Sequence, residues 1–339
     1  MISGGSVSPL RIGVVGAGAI SQLVHLPLLT ERADVEVLAL ADTDEAKART
    51  IAQRFNVPRV VDDAALFADA DLEAVVICTP NHLHEAQAIA ALEAGLHVLV
   101  ERPLALTAAG ARRVVDAAEA AKRSIMVGMS HRFRPDVNSL RSFVAGGDMG
   151  QVYAARVAWM NRRVNLRHTT WRQRPHEAGG GVFMDLGVQS LDLALFLLGM
   201  PEIQRVSAVF TNGEPDIEDA ASVLMESSDG IAISLEVSWS YTHAEDRHYA
   251  RVLGTTGSGS LPPLEVFKQL GGRALNATPT QRATADGQDY MNSYRREIDH
   301  FLRAARGLVR APDPAEQVHV MQVVEAIYRS GRERCEVIV

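Results

Sequence analysis

Cysteine is nearly absent: Cys78 and Cys335 are the only two in 339 residues. No disulfide framework is available. Without a Cys-x-x-Cys pair or comparable spacing, no metal is called for. Cys78 lies in an apolar run and reads as a small buried hydrophobe. Long basic runs are missing too, and the net charge of -7 disfavours nucleic acid as a partner. No apolar stretch reaches the length a bilayer demands. Met1–Leu10 lacks the charged start and apolar core of a secretory leader. The expectation is a cytoplasmic protein with no membrane partner, starting in a flexible Gly/Ser-rich tail over 1–10. Neither an internal repeat nor a low-complexity tract is visible.

What is present suits two ordinary globular domains: 47% of residues are apolar and 22% charged. Short apolar runs alternate with helix-like stretches through 11–128. Strands are predicted at Arg11–Val15, Val35–Ala41, Ala74–Cys78, His97–Val100 and Ile125–Val127. Helices are predicted at Ala19–Glu31, Thr43–Phe55, Leu83–Glu93 and Ala108–Ala121. Near-continuous apolar strands in this rhythm imply a doubly wound parallel sheet, an α/β Rossmann domain. The rhythm changes over 129–339. Strands at Val152–Met160, Val206–Phe210, Ala220–Ser227 and Ile231–Ser240 suggest a mostly antiparallel sheet. Helices at Leu186–Leu198, Ser293–Arg306 and Ala315–Ser330 make this second domain α+β. Gly254–Ser260 and Gly271–Gln288 read as turns or loops.

Gly16-Ala17-Gly18-Ala19-Ile20-Ser21 joins the first strand to the first helix. This is the dinucleotide fingerprint with Ser21 in the third glycine's place. The first glycine permits the tight turn, and the second lets backbone approach a pyrophosphate resting on the helix N-terminus. Asp42 closes the second strand, where a carboxylate accepts from ribose hydroxyls and repels a 2′-phosphate. NAD is expected over NADP, with Gly16, Gly18, Ala19, Ile20 and Asp42 at the cofactor.

Several further segments resemble one family together: the glucose–fructose oxidoreductase / inositol dehydrogenase (Gfo/Idh/MocA) family. They are Cys78-Thr79-Pro80-Asn81-His82-Leu83-His84, Glu101-Arg102-Pro103-Leu104-Ala105, Gly128–Pro135, Gly179–Gly199 and Val324–Ser330. The resemblance implies a Rossmann domain followed by an open-sheet domain, with the active site between them. It also implies hydride transfer to or from sugars, polyols or related ketones, and commonly a homodimer or homotetramer. It places Thr79, Pro80, Asn81, Glu101 and Arg102 by the nicotinamide. His84 reads as cofactor-proximal packing.

Two positions depart from the family pattern. Its usual Glu-Lys-Pro stands here as Glu101-Arg102-Pro103, and its usual Asp-x-x-x-His as Asp185-Leu186-Gly187-Val188-Gln189. The lysine and histidine are the family's usual catalytic pair. Oxidising an alcohol releases a proton as well as a hydride, and a base must take it. Arginine effectively never deprotonates, and glutamine has no titratable proton. Arg102 and Gln189 can therefore orient a substrate but not shuttle its proton. Three readings stay open. Asp185 moves the proton, with His176, Tyr241 or His243 near it. The substrate, such as an iminium, needs little help. Or the protein binds dinucleotide without redox chemistry.

Arg162, Arg163, Arg167, Arg172 and Arg174 crowd before Gly179-Gly180-Gly181, with His168 and His176 interleaved. Arginine forks suit carboxylate and phosphate. One reading is an anionic substrate held by Arg163 and Arg172 against Trp171; the other is a solvated loop or a salt-bridged subunit contact. Arg132 either faces substrate or ties the domains together through a carboxylate.

Overall fold

The computed structural model describes residues 8–162, 170–212, 217–279 and 288–339. The chain divides into two compact units. The first gathers residues up to Ala105 with Ala109–Gly128 and Tyr290–Gln317; the second comprises Leu106–Ala108, Met129–Asp289 and Val318–Val339.

In the first unit, β1 (Leu10–Val15), β2 (Val35–Ala41), β3 (Arg59–Val61), β4 (Ala74–Ile77), β5 (His97–Val100) and β6 (Ile125–Val127) form a sheet in the order β3-β2-β1-β4-β5-β6. Every pairing in it is parallel. This is the Rossmann order, whose direction reverses between β1 and β4 and opens a ligand crevice at the strands' carboxyl ends. β1, β4, β5 and β6 are buried on both faces, as their near-continuous apolar runs require, whereas β2 exposes Glu36 and β3 is half-buried. The helix after β1 opens with a π-helical turn at Ser21–His25 and continues as Leu26–Thr30. Asp44 caps the helix Glu45–Phe55 by accepting from Lys47 N–H, and Asn56 ends it in a left-handed conformation.

The segment Tyr290–Gln317 returns to this unit from far down the chain. Its helix, Gln288–Ala305, buries Tyr294, Ile298, Phe301 and Leu302. Arg306 pairs with Asp34 at 3.1 Å, and Arg32 with Asp299 at 3.3 Å.

The second unit is built on nine strands: β7 (Val152–Arg162), β8 (Ile203–Asn212), β9 (Glu218–Ser227), β10 (Ala232–Tyr241), β11 (Arg247–Gly254), β12 (Gly257–Leu261), β13 (Glu265–Leu270), β14 (Arg273–Asn276) and β15 (Val337–Ile338). Their order is β14-β13-β12-β11-β7-β10-β9-β8-β15. Only β7 and β10 run parallel. The fold class is thus α/β, with a parallel Rossmann sheet and a large, mostly antiparallel second sheet.

Three expectations need correcting. The stretches read as loops contain β12 and β14. Glycine in β12 is a packing requirement: a Cβ at Gly257 would lie 2.8 Å from Phe267 O, and one at Gly259 2.9 Å from Met149 Cε. β14 is a fully exposed edge strand without apolar alternation. The helix predicted from Leu186 begins earlier, as a π-helical turn at Phe183–Gly187, then runs on as Val188–Leu198. Finally, the stretch Pro175–Leu198 is long and apolar enough to cross a membrane by length and composition, yet it is mostly buried inside the protein.

Candidate functional site

The loop after β1 has the shape its glycines demand. Gly16 adopts φ +96°, and a Cβ there would lie 2.7 Å from Cys78 O. Gly18 differs: its nearest neighbour would be Cys78 O at 4.0 Å. The protein's own packing does not require glycine at 18. The space kept open beside this backbone, at a helix start, is what a pyrophosphate needs. Ala19 is exposed and Ile20 half-buried. Asp42 Oδ2 accepts from Ala17 N–H at 2.8 Å; Oδ1 accepts from Asp44 N–H at 2.9 Å and pairs with Lys47 Nζ at 2.9 Å. Burial opposes the Asp42 charge, but these donors outweigh it and hold its pKa below the ordinary carboxylate value.

At the ends of β4 and β5 a polar cluster forms. Thr79 Oγ1 donates to Gln87 Oε1 at 2.5 Å, and Pro80 precedes the first residue, buried Asn81, of the helix Asn81–Glu93. His84 is buried with Nε2 2.8 Å from Thr79 O and Nδ1 2.7 Å from Pro103 O, bracing one strand end against the other. Burial keeps its pKa below the ordinary histidine value against the pull of both carbonyls. Glu101 is buried with Oε1 2.7 Å from His25 Nε2. Its Oε2 has no hydrogen-bond partner among the described residues. Arg102, beside it, is half-buried.

In the second unit, Asp185 sits on the π-helical turn with its side chain 18% exposed. Trp239 Nε1–H donates to its Oδ2 at 3.2 Å, and Arg172 Nε lies 3.6 Å from its Oδ1. The Arg172 guanidinium also covers the Trp171 ring at 4.5 Å. Gln189 is buried one turn further along. Beneath this turn Glu218 Oε1 accepts from Gly181 N–H at 2.6 Å and from Tyr328 O–H at 2.5 Å. A Cβ at Gly180 would strike the Tyr328 phenol and one at Gly181 the Glu218 carbonyl. The triple glycine is therefore set by packing under the helix that carries Asp185.

Other expected residues are placed elsewhere. His176 is 76% exposed and lies 3.5 Å from Glu177. Tyr241 stacks on His243 at 5.2 Å. Arg132 is buried and paired within its own unit. Its guanidinium, 6% exposed, is bound by both Asp192 oxygens, and both residues belong to the second unit. Arg174 pairs with Glu177 and Arg162 Nη1 donates to Ala244 O, so the described arginines of the run face partners within their own unit. Arg163, Arg167 and His168 lie outside the described residues.

Sequence reasoning missed His25, Lys47, Trp239, Glu218 and Tyr328. His25 and Trp239 meet partners 76 and 54 positions away, and no local motif marks such pairs. Lys47 was within reach, since it lies one helical turn past Asp42 and Asp44.

The Rossmann topology, with a glycine loop after its first strand and a carboxylate closing its second, marks the first unit as a dinucleotide-binding fold. The chain belongs to the Gfo/Idh/MocA family, a family of NAD(P)-dependent sugar and cyclitol dehydrogenases. Residues 10–129 match the profile described as "Oxidoreductase family, NAD-binding Rossmann fold", and 137–260 that of the "GFO/IDH/MocA C-terminal domain". An inositol 2-dehydrogenase of Acidothermus cellulolyticus is 32% identical, covering 89% of this chain and 87% of that one. A D-glucoside 3-dehydrogenase of Escherichia coli is 28% identical, covering 96% of each. A solved enzyme of gentamicin A biosynthesis, in complex with NAD, superposes with TM-score 0.86 at 27% identity, covering 98% of this chain and 97% of that one. This chain is accordingly an NAD(P)-dependent oxidoreductase.

Proposed function

We propose that this protein is an NAD-preferring dehydrogenase or reductase of a sugar, cyclitol or related carbonyl or imine, with Asp185 handling the proton in place of the family's usual pair. The observation that carries this reading is the Asp185 carboxylate, part-exposed and approached by a donor at each oxygen. The dinucleotide supplies or accepts the hydride. As an alcohol loses hydride from carbon, its hydroxyl proton passes to an Asp185 oxygen, leaving a carbonyl and a carboxylic acid; reduction runs the same transfers backward. Trp239 fixes the rotamer of the carboxylate. Arg102 and Gln189 serve as hydrogen-bonding groups that orient an oxygen. Gly16, Gly18, Ala19 and Ile20 cradle the pyrophosphate, Asp42 receives the adenosine ribose, and Thr79, Asn81 and Glu101 line the nicotinamide end.

The substrate class is supported by the names of the relatives, which act on inositol and on glucosides. A homodimer or homotetramer is supported by the exposed Val209 and Leu224 on the second sheet, since apolar faces of this kind are normally covered. The test is NADH oxidation against panels of ketosugars, keto-cyclitols and cyclic imines. Turnover at an ordinary enzymatic rate of about 1 s⁻¹ or faster upholds the reading. Tight NADH binding with no turnover across the panel would instead favour a dinucleotide-binding protein without this chemistry.

A further inference from the structure

We infer that His25 is a positioning residue of the dinucleotide site: its Nε2–H holds one oxygen of Glu101, so that the other is presented, ionised, toward the cofactor edge of the sheet. The inference rests on the assignment of Glu101 to the cofactor.

Three separate strand ends build the arrangement. His25 lies on the helix after β1, Cys78 follows β4, and Glu101 follows β5. β1 and β4 flank the switch point of the sheet, and β5 lies next beyond β4. His25 is fully buried, and its Nε2 stands 2.7 Å from Glu101 Oε1. Tyr294, from the helix that returns late in the chain, meets the imidazole edge-on at 5.9 Å. Gly128 completes the cage. A Cβ there would lie 3.1 Å from Glu101 Oε2 and 3.3 Å from Oε1, so only glycine leaves the carboxylate this rotamer without pressure. A buried carboxylate is costly unless its charge is answered. Here one oxygen is answered inside the protein, and the other has no partner among the described residues although it retains access to solvent. That is the geometry of an acceptor waiting for an external donor, such as a ribose hydroxyl.

The charged and titratable groups facing the pair are Cys78, His84, Arg102 and Tyr294. Burial works against charge on both partners, yet Cys78 and Glu101 hold His25 well above the ordinary histidine value, and His25 with Arg102 holds Glu101 below the ordinary carboxylate value. Removing the imidazolium leaves burial as the largest influence on Glu101, and its acid limb moves up.

The test is NADH binding, followed by cofactor fluorescence from pH 5 to pH 8, in the full-length wild type and three variants whose folding is checked by circular dichroism. Glu101→Gln should weaken binding about tenfold. His25→Gln, which keeps a donor but no charge, should bind nearly as wild type at pH 8 and lose affinity about tenfold toward pH 5, where the wild type is flat. His25→Phe should bind weakly throughout. If Glu101→Gln weakens NADH while His25→Gln keeps both affinity and a flat profile, His25 is core filling and the inference fails alone. If Glu101→Gln binds as wild type, the assignment of Glu101 to the cofactor fails, and the inference with it. A pH-independent loss in His25→Gln also overturns the inference, since it reports damage to structure rather than to charge.

Discussion

Arg132 grips both oxygens of Asp192, with Nε 2.8 Å from Oδ2 and Nη2 2.6 Å from Oδ1, where the two side chains are 6% and 1% exposed. The Phe196 ring lies 5.1 Å from the guanidinium. A pair this dry is strongly asymmetric in its energetics. Breaking one side strands a buried charge, whereas replacing both sides with apolar groups does not. Arg132→Met should therefore lose about 3–5 kcal/mol in urea unfolding. The double variant Arg132→Met/Asp192→Leu should recover most of it. A single variant that loses less than about 1 kcal/mol would show that the pair is no strut.

The two fingerprint glycines should fail in different ways. Gly16→Ala forces a side chain into φ +96° and toward Cys78 O, so the fold should lose about 1–3 kcal/mol. At Gly18 a Cβ meets nothing closer than Cys78 O at 4.0 Å; Gly18→Val should fold and lose NADH binding, because its side chain fills the pyrophosphate space. Calorimetric titration of a folded Gly18→Val protein with unchanged affinity would remove this loop from the cofactor site.

This difference shows what was legible in the sequence. The loop, Asp42 and the first five predicted strands could be read because motif and periodicity act over a few residues. β12 could not, since its Gly257 and Gly259 answer to Phe267, Leu140 and Met149 rather than to each other. The return of Tyr290–Gln317 to the first unit depends on contacts such as Arg306 with Asp34, which no local pattern announces. Arg132 was ambiguous for the same reason: only the fold reveals which carboxylate it meets. Asp185 was legible as a candidate, but its holder Trp239 was not.

Coenzyme choice follows from Asp42 and Lys47. The wild type should bind NADH more tightly than NADPH, because the Asp42 carboxylate repels a 2′-phosphate. Asp42→Ala removes that repulsion and frees the Lys47 ammonium, now 2.9 Å from Asp42 Oδ1, to meet the phosphate. The preference should shrink by roughly tenfold, the scale of one half-screened charge contact. Adding Lys47→Ala to Asp42→Ala should return part of it. Paired calorimetric titrations of both coenzymes give the answer, and equal wild-type affinities would sink the preference.

Stability should carry the signature of the His25–Glu101 pair. The raised histidine contributes fully below its unfolded value near 6.5, and that contribution drains away as pH rises toward the folded one. The lowered carboxylate contributes fully above its unfolded value near 4.5 and is lost as pH falls toward the folded one. Both terms are complete between those two reference values. The stability difference between wild type and His25→Gln, measured by urea titration, should peak there and decline on either side. A difference that is constant with pH would mean that the buried pair is not ionised.

Asp185 is the residue on which turnover should hinge. It is held by Trp239 and Arg172 and carries none of the roles assigned to the dinucleotide-binding residues, so Asp185→Asn should leave NADH affinity intact. Asparagine keeps the shape and can still accept from Trp239, but it cannot take a proton. The chemical step should slow by about 10²–10⁴-fold, the usual worth of a positioned general acid or base. Trp239→Phe supplies the control for position: it removes one hydrogen bond and leaves the carboxylate, so turnover should fall by only about tenfold. If Asp185→Asn turns over at the wild-type rate, the carboxylate is structural. Proton handling would then fall to the Tyr241–His243 stack or to a substrate that arrives already protonated.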